Sequence, residues 1–88
     1  MALQGDYTFN GIPVAGAIAV VEYIWFRRSY EMTFQVPIYA TQAQREAASP
    51  LVSATYAIPY DPAAGDVYTQ CTDYLLTLPE YDGWIEIP

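Results

Sequence analysis

Residues 30–40 alternate strictly between apolar and polar. Tyr30, Met32, Phe34, Val36 and Ile38 fall on one side of an extended chain, and Glu31, Thr33, Gln35, Pro37 and Tyr39 on the other. Successive side chains of a strand point to opposite faces, so this period of two predicts a half-buried antiparallel strand. Pro37 has no N–H to donate and predicts an exposed edge or a bulge. Residues 51–60 alternate again, with Val52, Ala54, Tyr56, Ile58 and Tyr60 set against Leu51, Ser53, Thr55 and Ala57. They predict a strand paired with the preceding one. Residues 15–26 are apolar on both faces apart from Glu22 and rich in β-branched and aromatic side chains. A buried helix competes for this run, but its composition and the Arg27-Arg28-Ser29 turn favour a long central strand. Upstream, Asn10-Gly11 stands between Tyr7-Thr8-Phe9 and Ile12-Pro13-Val14 and predicts a tight hairpin, since both turn residues tolerate positive φ. Pro13 marks its second arm as an edge or an early break.

Two segments obey helical spacing instead. Val67, Cys71, Tyr74, Leu75 and Leu78 form one apolar stripe, with Asp66 placed to cap it and Pro79 to end it. Thr41 and Gln44 are spaced as a capping box, predicting one or two solvent-facing turns before Pro50. Asp61-Pro62-Ala63-Ala64-Gly65 predicts a turn, and Asp82-Gly83 another before a short strand-like end at Trp84-Ile85-Glu86-Ile87. The predicted architecture is a single α+β domain over residues 1–88. An antiparallel meander of three main strands, with a small N-terminal hairpin, packs one face against one C-terminal helix.

Charge adds an asymmetry. The net charge is −7, and residues 51–88 hold six acids and no base, while residues 1–50 are nearly balanced. An acidic half of this kind disfavours nucleic-acid backbones and anionic membranes as partners. The longest charge-free apolar run, residues 12–21, contains Pro13 and Gly16 and is too short for a membrane helix. No basic start precedes an apolar stretch, so a leader peptide is not expected and a soluble, cytoplasmic setting is.

Chemistry is scarce. The chain has no histidine and no lysine, and one cysteine. Cys71 lies on the apolar stripe with no base beside it and is expected to be a buried, inert thiol. Ser29, Ser49 and Ser53 also lack a base. Asp61, Asp66 and Asp82 are explained by turns and a cap, and their spacing fits no cation loop. We expect no enzyme activity, no metal and no cofactor.

Aromatics are abundant instead: nine tyrosines, two tryptophans and three phenylalanines in 88 residues. A domain of this size has a thin core, so part of this ring area is expected to meet other chains. Tyrosine and tryptophan suit interfaces because each joins a large apolar body to one polar end. Tyr39, Tyr81 and Trp84 are the expected interface residues, since they lie off the main apolar faces or in the tail. Ile85 and Ile87 join them, because the tail and the N-terminal hairpin can each add a strand to a neighbouring sheet.

Three pieces carry a resemblance: residues 7–17 (YTFNGIPVAGA), Ile38-Tyr39-Ala40 before the QAQREA run, and residues 74–81 (YLLTLPEY). In these the chain resembles small proteins encoded in the tail-gene regions of long-tailed bacteriophages. Trp25 and Arg27-Arg28 lie outside that pattern. The resemblance implies a virion structural role in a tail tip, baseplate or fibre attachment, and it transfers no functional residues. The expected partners are other virion proteins and symmetric copies of the chain. Two alternatives remain: a head decoration protein, and a small acidic inhibitor that presents its charged half to a host protein as a nucleic-acid mimic.

Overall fold

In the computed structural model, which describes residues 2–28 and 30–88, six strands form one antiparallel sheet. They are β1 (Ala2–Phe9), β2 (Ile12–Val20), β3 (Glu22–Arg27), β4 (Glu31–Tyr39), β5 (Val52–Pro59) and β6 (Ile85–Ile87). Two helices, α1 (Gln42–Glu46) and α2 (Val67–Leu76), and a short 3-10 turn at Pro79–Tyr81 complete the described chain. The strand order is β3-β4-β2-β1-β6, with β5 paired to β4.

The α+β expectation is therefore corrected. The molecule is mostly β, and no separate three-strand meander is set apart from a small hairpin. The hairpin arms are full strands of eight and nine residues within the common sheet. Its turn is as expected, with Asn10 at φ 49° and Gly11 at φ 79°. The strand-like tail pairs with this chain's own β1, Ala2 opposite Ile87.

The long run at residues 15–26 is strand, but divided at Val21 between β2 and β3. Because β5 pairs along nearly the whole of β4, β2 and β3 share the other edge of β4 in succession. The ladder lapses between Ala19↔Ile38 and Glu22↔Gln35. Pro37 sits opposite this lapse. A proline is thus tolerated in a buried central strand because its missing N–H falls where no ladder bond is made. A bulge follows at once in β3, with Tyr23 at φ 52°, and another in β2, where Gly16 at φ 70° gives its N–H to Asp6 Oδ1. The predicted turn after β3 begins at Arg28 (φ 63°); Ser29 lies outside the described residues.

One face of the sheet carries the main core. Leu3, Ala17, Ala19, Val21, Met32, Phe34, Val36, Ile38 and Ile58 meet Cys71 and Leu75 of α2, with Tyr81 and Trp84 closing the end. The helical stripe read from sequence is the face that packs here, and Asp66 caps α2 by accepting from the Thr69 N–H at 2.9 Å. The Trp84 ring lies directly on Gly5, where a Cβ would overlap it. Tyr81 meets Trp84 edge-on at 5.0 Å. On the opposite face a smaller cluster of Ala2, Ile18, Val20 and Tyr39 buries one end of the sheet. The rest of that face, over β3, β4 and β5, meets α1 at the Tyr39 end, where Arg45 lines a depression with Gln35, Pro37 and Ser53, while α2 lies on the other face.

Candidate interaction surface

Alternation decides what the open face displays. The β4 register places Trp25 opposite Thr33 and Arg27 opposite Glu31, so these side chains share the face away from α2. On β5 the same rule puts Ser53, Thr55 and Ala57 there. Trp25, Arg27, Thr33, Thr55, Tyr56 and Ala57 line a shallow depression of about 470 Å³. At its floor the Thr33 hydroxyl is buried and, among the described residues, is the one buried side-chain polar atom without a hydrogen-bond partner. An orphan hydroxyl of this kind is unusual in a folded chain, and it faces a surface with room for an incoming donor or acceptor.

The depression runs into the β3–β4 hairpin. Tyr23 is 70% exposed, Trp25 42%, Phe26 48% and Tyr30 55%. Among the described residues, four of the eight exposed large apolar side chains thus fall between positions 23 and 30. The bulge at Tyr23 turns that ring outward, and Phe26 braces edge-on against Tyr60 at 5.1 Å. Arg28 Nη1 donates to Tyr30 Oη at 2.8 Å. Two of the chain's three arginines, Arg27 and Arg28, stand on this hairpin.

The five residues expected from sequence are placed differently. Tyr81 and Trp84 belong to the main core, and Tyr39 to the smaller cluster. Their ring area is covered by the chain itself. Burial raises the Tyr39 phenol above its ordinary range, Glu22 and Tyr23 add to this, and Arg45 opposes it. Ile87 is half-buried against the Tyr39 cluster, and Ile85 alone of the five is exposed. Sequence reasoning passed over Tyr23, Trp25 and Phe26 because it placed them in a strand covered on both sides. The available signal was Arg27-Arg28 directly after them, since a strand running into paired arginines is leaving the core.

Burial pushes the Cys71 thiol up to about 11, which keeps it protonated and inert at neutral pH. Among the described residues no group of three or more His, Cys, Asp or Glu is placed to hold a metal ion. No described helix is long and apolar enough to cross a membrane. No family model, curated protein or solved structure matches the chain.

Proposed function

We propose that the protein is a virion structural component of a bacteriophage, in the tail tip, baseplate or fibre attachment, and that it works by docking the β3–β4 hairpin and the adjoining open sheet face onto another virion protein. One observation carries the docking: Tyr23, Trp25 and Tyr30 are exposed beside Arg27 and Arg28 on a single hairpin, with Phe26 exposed on its reverse face. Tryptophan, tyrosine and arginine are the residues in which interface binding energy concentrates. The virion setting rests on the resemblance of residues 7–17, 38–47 and 74–81. Mass spectrometry of purified particles should find the chain, and it should co-purify with a tail protein when the two are co-expressed. Trp25→Ala with Arg27→Ala should abolish that co-purification while leaving the circular dichroism spectrum unchanged. Capture that survives both substitutions would refute the docking surface.

A second reading has its own observation. Asp61, Asp66, Asp73, Glu80 and Asp82 are all exposed around α2 and the turns beside it, an acidic surface suited to a basic host protein. Binding through it should collapse as salt rises, whereas docking through the aromatic hairpin should persist.

A further inference from the structure

A sheet exposes unpaired N–H and C=O groups wherever a strand lacks a neighbour, and folded proteins block such edges with charge, bulges, proline or brevity. Most free edges here are blocked. β6 has three residues and includes Glu86. The outer parts of β1 and β2 carry the bulge at Gly16, the acid Asp6 and Pro13. The outer edge of β3 carries the Tyr23 bulge, Glu22 and Arg27.

β5 is the least blocked, its one outward proline, Pro59, standing at its end. It is eight residues long, pairs with β4 without a register shift, and has no described strand on its other side. No charged residue occurs between Glu46 and Asp61. The Tyr60 N–H donates to the Tyr30 carbonyl at 2.8 Å. Antiparallel strands alternate their bonding direction, so the even-numbered residues of β5 bond to β4, and Ser53, Thr55 and Ala57 turn their N–H and C=O groups outward. Pro59 follows the same parity, so its missing N–H costs β4 nothing.

We propose that β5 pairs antiparallel with β5 of a second copy about a two-fold axis at Thr55, joining two sheets into one. The strand is complementary to itself in this register. Thr55 meets its own counterpart, and Ser53 meets Ala57. On the face toward α2, Val52 meets Ile58 and the small Ala54 meets the large Tyr56. Each outward N–H finds an outward carbonyl. A two-fold contact uses the same patch on both partners, as an isologous interface requires. The net charge of −7 opposes association, but the pairing strand adds nothing to that repulsion. Thr55 and Ala57 also line the depression beside Trp25, but the dimer uses their outward backbone groups and the docking uses the hairpin rings, so failure of the dimer would leave the docking proposal standing.

Analytical ultracentrifugation of the whole chain should show a monomer–dimer equilibrium that strengthens with added salt. Ala57→Pro removes one outward N–H per copy and no bond to β4, and should weaken the dimer about ten-fold or more. Thr55→Cys should form a Cys–Cys bridge between copies on mild oxidation. Hydrogen-bonded antiparallel pairs lie about 5.5 Å apart at Cα, within disulfide range, and buried Cys71 should stay unreacted. If Ala57→Pro fails to fold, the Thr55→Cys bridge decides alone. A chain monomeric at every concentration, a dimer indifferent to a folded Ala57→Pro variant, or the absence of the bridge at residue 55 would each overturn the proposal.

Discussion

Thr33 carries a cost that the isolated fold does not repay. The residue is buried, and so is its hydroxyl, without a partner. A buried, unbonded hydroxyl costs roughly 1–3 kcal/mol. Thr33→Val keeps the shape and removes the orphan. It should raise the stability of the free chain by about 1 kcal/mol, seen as a higher urea midpoint with an unchanged slope. If a partner bonds that hydroxyl, the same substitution should weaken capture of the partner. Stability and binding would then move in opposite directions, whereas a residue that only fills space would raise stability on substitution and leave capture unchanged. Gly5 makes the opposite kind of choice, giving up its side chain so that the Trp84 ring can lie on β1.

At the scale of elements, α2 was the most legible part of the chain. Its stripe, its Asp66 cap and its end before Pro79 all follow from short-range rules. The carboxyl of Asp66 is held below its ordinary value, chiefly by the backbone N–H of Thr69 and then by that residue's hydroxyl. A depressed carboxyl contributes stability that is present above its unfolded value, near pH 4, and lost as pH falls through the lower folded value. Asp66→Asn keeps an acceptor but removes the charge. The wild-type melting temperature should exceed that of Asp66→Asn at neutral pH by a few degrees, and the gap should narrow as pH falls below about 4 and close once it is below the lower folded value. A gap that persists in acid would assign the effect to the hydrogen bond alone. The sheet was less legible. Strand periods at residues 30–40 and 51–60 were plain, but the division at Val21 was not, because it depends on Pro37 lying across from it. Gln70, which accepts from the Asp61 N–H and donates to the Asp61 and Gly65 carbonyls, ties the loop before α2 to the helix. No local pattern announces that tie.

Over the whole molecule the titrating groups of the core set an alkaline limit. Burial raises the Cys71 thiol to about 11. Burial, then the hydrogen bond and charge of Tyr56, raise the Tyr81 phenol far above its ordinary range. A group whose folded value is raised contributes stability that is complete below its unfolded value and is lost as pH rises beyond it. The urea midpoint should therefore be flat from about pH 6 to pH 8 and fall above about pH 9. Cys71→Ala should delay the onset toward the tyrosine range, and a flat profile through pH 11 would contradict the burial of both groups.

The sequence by itself determined the local elements: the Asn10-Gly11 turn, the alternating strands of β4 and β5, and the capped stripe of α2. It also determined the poverty of catalytic side chains, since composition needs no fold to be read. All of these depend on residues a few positions apart. Tertiary structure alone decided which aromatic rings are covered. Tyr39, Tyr81 and Trp84 lie outside the obvious apolar faces and yet are buried, because distant strands and the tail close over them. Trp25 and Phe26 lie inside an apolar run and yet reach solvent, because β3 leaves the helix-covered core beyond a bulge. Burial is a property of what packs across from a residue, and that partner is set by sheet order and register rather than by neighbours in the chain.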